Sequence, residues 1–156
     1  MRAARVVFLT LSCAAFLSAT TFYLTVAGLG GEADYEQRFK LWAGDAEKAL
    51  KAGGGGADVQ TLAGPAATKT AVRAALERIG RQARSEDALV LMLIGHGSFD
   101  GTDYKFNVPG PDITATELAA LVNAVPAGRQ LVVNMTSASG ASLAALKHAN
   151  RIVITA

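Results

Sequence analysis

Ala88, Leu89, Val90, Leu91, Met92, Leu93 and Ile94 follow one another without a polar residue, and the run stops at Gly95, His96 and Gly97. Seven apolar residues closed by glycine read as a strand buried on both faces, as strands of a parallel sheet are. Parallel neighbours need crossover connections, so helical segments should lie on either side of it.

They do. Upstream, Thr21 to Ala27 is a short β-rich run closed by Gly28, Gly30 and Gly31, and Tyr35, Phe39, Trp42, Ala46 and Ala49 then recur at helical spacing. Asp34, three residues before Gln37, suits the helix start, and Gly53 to Gly56 ends it. Asp58 to Ala63 reads as a second strand, and a helix opened by Thr68 puts Val72, Leu76, Ile79 and Ala83 on one stripe. Downstream, Phe99 to Val108 reads as a hairpin turning at Asp100 and Gly101, before Pro109 and Pro111 break the pattern. Thr114 and Glu117 form a capping box for a helix carrying Leu118, Leu121, Val122 and Val125, which Pro126 stops. A strand from Gln130 to Thr136, a helix from Ala138 to His148 and a strand from Arg151 to Thr155 complete the alternation. The expected fold is a three-layer α/β/α sandwich with a mainly parallel sheet.

The chain of 156 residues is 51% hydrophobic and 18% charged, the composition of one ordinary globular domain. Its net charge is +2 and its basic residues are scattered, which speaks against a nucleic-acid partner. Arg2 and Arg5 precede an uncharged apolar run from Val6 to Leu17, followed by Ser18 and Ala19. Residues 1–19 therefore read as a secretory signal peptide, whose apolar run is too short to span a bilayer comfortably. A secreted or periplasmic domain of residues 20–156 follows, with no stable membrane span after cleavage. Loss of Arg2 and Arg5 takes the charge to zero, and loss of Cys13, the one cysteine, excludes disulfides and a thiol nucleophile. Two distant histidines and scattered loop aspartates lack ligand spacing, so no metal and no cofactor are expected.

In open parallel sheets function gathers beyond the carboxyl ends of the strands. His96 and Ser137 stand there, each directly after an apolar strand, and they face one cleft if those strands are neighbours. Each has a structural alternative. Ser137 or Ser139 can cap the following helix, and His148 can compensate that helix's C-terminus.

Gly95, His96, Gly97 on one strand end, and Thr136, Ser137, Ala138, Ser139, Gly140 on the next, resemble the caspase and legumain clan of cysteine peptidases. Val26, Ala27 and Gly28 with Tyr35, and Ile154, Thr155 and Ala156, are similar to legumain as well. The resemblance implies a caspase-like fold in which His96 and the residue at 137 form the catalytic dyad. Gly97, Ser139 and Gly140 would line the oxyanion site or cleft, and Met135, Glu36 and Arg38 the substrate pocket. It also implies a further strand and helix after Ala156, so the fold would be C-terminally incomplete. The chain departs from the clan at the nucleophile, where Ser137 stands in place of cysteine.

That departure decides between functions. A thiol is readily ionised by imidazole, whereas a serine hydroxyl needs a well-oriented base, normally held by a carboxylate. Asp100 and Asp103 follow His96 closely, but both fall in the hairpin turn. The preferred expectation is an exported, catalytically impaired pseudopeptidase that binds a peptide or protein in the old cleft. The alternatives are a hydrolase using His96 and Ser137, and an unrelated doubly wound ligand-binding domain. The Gly28 to Ala33 turn spells a GxGxxA pattern, but the second strand ends without an acid for a ribose, which disfavours a dinucleotide.

Overall fold

The computed structural model describes residues 18–156. Of the expected signal peptide, residues 1–17 lie outside the described residues. In chain order the elements are β1 (Thr21–Ala27), α1 (Ala33–Ala52), β2 (Asp58–Ala63), α2 (Lys69–Gln82), β3 (Ala88–Gly95), β4 (Gly97–Phe99), β5 (Tyr104–Phe106), β6 (Ile113–Thr114), α3 (Ala115–Asn123), β7 (Arg129–Thr136), α4 (Leu143–Leu146) and β8 (Arg151–Thr155).

Five strands form a parallel sheet in the order β2-β1-β3-β7-β8, and β4, β5 and β6 form a small antiparallel sheet. Helices cover both faces of the five-stranded sheet, and the architecture is a three-layer α/β/α sandwich. The alternation along each strand sorts side chains between the layers. Leu24 and Val26 of β1, Leu89, Leu91 and Leu93 of β3 and Val132 of β7 join α2 and α3 in the main core. On the other face Ala27 and Ile94 pack against Phe39 and Ala43 of α1.

The second face is only partly covered. Strand β3 was expected to be buried on both sides, yet Val90 and Met92 are only half-buried. Helix α1 packs mainly over β1 and β2. Farther along the same face, Met135, Ile152 and Ile154 are exposed, in register across β3, β7 and β8.

Most helix boundaries follow from local chemistry. The Thr68 hydroxyl accepts the Ala71 amide at 3.1 Å, and Thr114 with Glu117 forms the expected reciprocal capping box. At α1 the expectation needs correction. Asp34 lies inside the first turn and Glu32 occupies the cap position without a side-chain bond. The long helix expected from Ala138 to His148 is instead a 3-10 turn, Ser139–Ser142, followed by a single α-turn. Ala138 adopts left-handed backbone angles (φ 55°), which no helix tolerates, and the Ser142 hydroxyl donates to the Ser139 carbonyl. Arg151 Nη1 takes the Leu146 carbonyl at 2.7 Å and closes the segment early. The hairpin is also larger than expected, because Ile113 and Thr114 add a third strand.

Candidate functional site

The register of β3 and β7 ends at Gly95 opposite Thr136. The next residues, His96 and Ser137, leave the sheet side by side. Imidazole Nδ1 lies 3.4 Å from the Ser137 Oγ, the reach of a long hydrogen bond. Sequence spacing alone left this meeting conditional on strand order, and β3 next to β7 satisfies the condition.

Aromatic rings hold the imidazole from the α1 side. Tyr35 and Phe39 meet it edge-on, with centroids at 5.2 and 5.3 Å. Among the described residues Ser137 is the one side-chain hydrogen-bond partner of His96, and neither nearby aspartate reaches it. Asp100 accepts the amides of Asp103 (2.8 Å) and Thr102 (3.0 Å) and pairs with Lys105. The Asp103 amide, then Lys105, hold its carboxyl far below the usual carboxylate range. Its chemistry belongs to the hairpin turn.

Beneath Ser137 lies a buried polar network. The Thr136 hydroxyl donates to Asn134 Oδ1 at 2.8 Å and meets the Tyr104 hydroxyl at 2.6 Å. The Asn134 Nδ2 donates to the hydroxyls of Tyr104 and Ser142, each at 3.1 Å. Burial pushes the Tyr104 phenol above its ordinary pKa, so it stays neutral. This network ties the end of β7 to the small sheet and to the turn after Ser137. The left-handed residue in that turn, Ala138, is the single non-glycine residue with positive φ among the described residues. Strain of this kind at alanine leaves no sequence signature, and sequence reasoning missed it.

The remaining expected site residues divide. Gly97 packs directly on the turn: a Cβ there would come within 2.5 Å of the Ser137 carbonyl oxygen and 2.8 Å of the Thr136 hydroxyl. Gly140 is exposed on the 3-10 turn. Ser139 is buried, and its hydroxyl accepts the Ala156 amide and donates to the Ala156 carbonyl, both at 3.1 Å. That engagement removes Ser139 from the open cleft, and neither serine caps the following helix. His148 bonds the Asn150 side chain rather than a helix-end carbonyl.

Met135 lines an apolar groove of about 290 Å³ together with Trp42, Ala46, Met92 and Ile94. It opens on the α1 face, two residues back from His96 and from Ser137 along their strands. The Arg38 guanidinium lies over the rings of Tyr35 (5.4 Å) and Trp42 (6.0 Å). Glu36 has a different task, since its carboxylate accepts the Gly30 amide at 2.8 Å and closes the turn before α1. Two further amides of that turn are also engaged internally, Gly28 on the Ile94 carbonyl and Leu29 on the Asn107 carbonyl.

No helix among the described residues is long and apolar enough to cross a membrane. No family model and no curated protein matches the chain. Among solved structures it is similar to protein GSU0716 from Geobacter sulfurreducens, with 22% identity over 76% of this chain and a TM-score of 0.56. The match covers 50% of that protein, so this chain spans about half its length. The likeness is one of fold, a mainly parallel α/β sheet between helical layers.

Proposed function

We propose that this chain is an exported domain of caspase and legumain type, catalytically impaired as a peptidase, that binds a peptide or protein in the cleft beside His96 and Ser137. The observation that carries this reading is the environment of His96, which among the described residues contacts a hydroxyl and two aromatic rings but no carboxylate. A serine nucleophile depends on an oriented base, and disabling the triad carboxylate of a serine peptidase costs about 10⁴ in turnover. The cleft keeps what binding needs, an apolar groove at Met135 and Trp42 with a cation stacked at its rim. Export follows from the charged start and apolar run of residues 1–19.

A hydrolase using His96 as base and Ser137 as nucleophile is the second reading, favoured by their 3.4 Å contact. A fluorophosphonate probe separates the two. Impairment predicts labelling no greater than that of the Ser137→Ala variant. Strong labelling that Ser137→Ala or His96→Ala abolishes, in folded protein, establishes the hydrolase instead.

A further inference from the structure

Helices α2 and α3 lie side by side and run the same way. Near their starts the Lys69 ammonium pairs with the Glu117 carboxylate, and near their ends a Cβ on Gly80 would lie 3.5 Å from the Ala124 carbonyl oxygen. Between these contacts runs a groove of about 480 Å³, floored by Leu76, Gly80, Ala120, Leu121 and Ala124. Lys69 and Gly80 are eleven residues apart in one helix, so the groove is roughly 16 Å long, about three helical turns.

Its two banks differ in charge. Helix α3 has a single charged residue, Glu117, and the capping box and Lys69 already engage it. The exposed positions of α3 are Thr116, Ala120 and Asn123, followed by Ala124 at its end. A surface helix ordinarily turns charged residues outward, and this one turns out small, uncharged ones, as a covered helix does. On α2, Arg73, Glu77 and Arg81 line the groove at one-turn intervals. All three are exposed, and none has an ion-pair partner among the described residues. Glu77 stands four residues from each arginine and cannot neutralise both, so the bank keeps a net positive charge in the order plus, minus, plus. The two arginines are about 12 Å apart along the helix.

We propose that this groove docks an amphipathic helix of a partner protein. Its apolar stripe lies over Leu76 and Leu121, and its flank carries an acid, a base and an acid at positions i, i+4 and i+8, opposite Arg73, Glu77 and Arg81. Helix-in-groove recognition takes apolar anchors at this spacing, and flanking charges set partner choice as they do beside the seam of a coiled coil. A helix suits the groove because both walls are helices, and the alanines of α3 let a third axis approach to the usual 8–10 Å or so. The groove belongs to the helical layer opposite α1, so the proposal does not depend on the cleft beside His96.

The test uses two designed helical peptides of about 18 residues, long enough to hold a helix alone. They share one Ala/Leu stripe and one net charge and differ in the flank, Glu-Lys-Glu in the first and Lys-Glu-Lys in the second. Fluorescence polarisation with the full chain should show the first binding about tenfold more tightly, with the difference shrinking at high salt. In the triple variant Arg73→Glu, Glu77→Arg, Arg81→Glu the preference should invert. Ala120→Trp, an exposed substitution that fills the groove, should abolish binding of both peptides while the circular dichroism spectrum stays unchanged. Equal binding of the two peptides, binding of neither, or binding that survives Ala120→Trp overturns the proposal. Self-association of the unaltered chain in sedimentation, lost in the triple variant, makes the occupant a second copy and overturns the acidic-flanked partner.

Discussion

Gly95 and Thr136 are the last register partners of two adjacent parallel strands, so the backbone itself delivers His96 and Ser137 to the same rim. A slip of one residue between β3 and β7 would turn the buried leucines of β3 to the wrong face. The pairing of the two polar residues is therefore protected by the hydrophobic core beneath them.

That geometry predicts the behaviour of a thiol at the same position. In Ser137→Cys the sulfur would sit beside the His96 Nδ1, where imidazole stabilises a thiolate. Iodoacetamide should alkylate it near neutral pH about tenfold faster than in a variant that also carries His96→Ala. Equal rates in the two proteins would show that His96 does not act on position 137.

Gly97→Ala should be costly, because the new methyl would meet the Ser137 carbonyl at 2.5 Å and the Tyr104 ring at 2.8 Å. Neither neighbour is a flexible side-chain end, so overpacking should destabilise by roughly 1–3 kcal/mol. Urea denaturation checks this, and an unchanged midpoint would refute the close approach.

Ala138→Gly should act in the opposite direction. Left-handed angles cost a residue bearing a Cβ about 1–2 kcal/mol that glycine avoids, offset partly by the greater freedom of glycine when unfolded. A net gain of about 0.5–1 kcal/mol is expected in thermal denaturation. A loss would mean that the methyl of Ala138 packs usefully.

Arg151 is buried, and among the described residues its guanidinium is satisfied by neutral oxygens alone, those of Gln130, Asn123 and Leu146, at 2.7–2.9 Å. Arg151→Met would strand these acceptors and should cost roughly 2–4 kcal/mol by urea denaturation. An effect below about 1 kcal/mol would show that water replaces the guanidinium without penalty.

Acid should weaken the fold through the capping box of α3. The Lys69 ammonium at 2.5 Å, followed by the Thr114 amide, holds the Glu117 carboxyl below its ordinary pKa. A carboxyl depressed in the folded state stabilises above its unfolded pKa, and that contribution is lost as pH falls through the folded value. The urea midpoint should therefore drop on acidification below about pH 4.5, less steeply in Glu117→Gln. Parallel curves for the two proteins would remove Glu117 from the account.

The alternation of strands and helices was legible because it rests on periodicity, and so were the caps at Thr68 and Thr114, which rest on adjacent residues. The pairing of His96 with Ser137 was legible only in part, since neighbouring strands are a tertiary fact that two apolar runs do not encode. Less accessible were features set by distant partners. Glu36 was expected in a pocket and binds the Gly30 amide instead, and Ser139 was expected in the cleft and holds the backbone of Ala156. The helix after Ser137 misled for the same reason: its residues favour helix, but Ala138 and the Arg151 guanidinium end it.

The double bond between Ser139 and the backbone of Ala156 has a mechanical consequence. Strand β8 is the margin of the large sheet, and its far end is fastened two residues from Ser137. A load carried by that margin would reach the backbone two residues from the hydroxyl that faces His96.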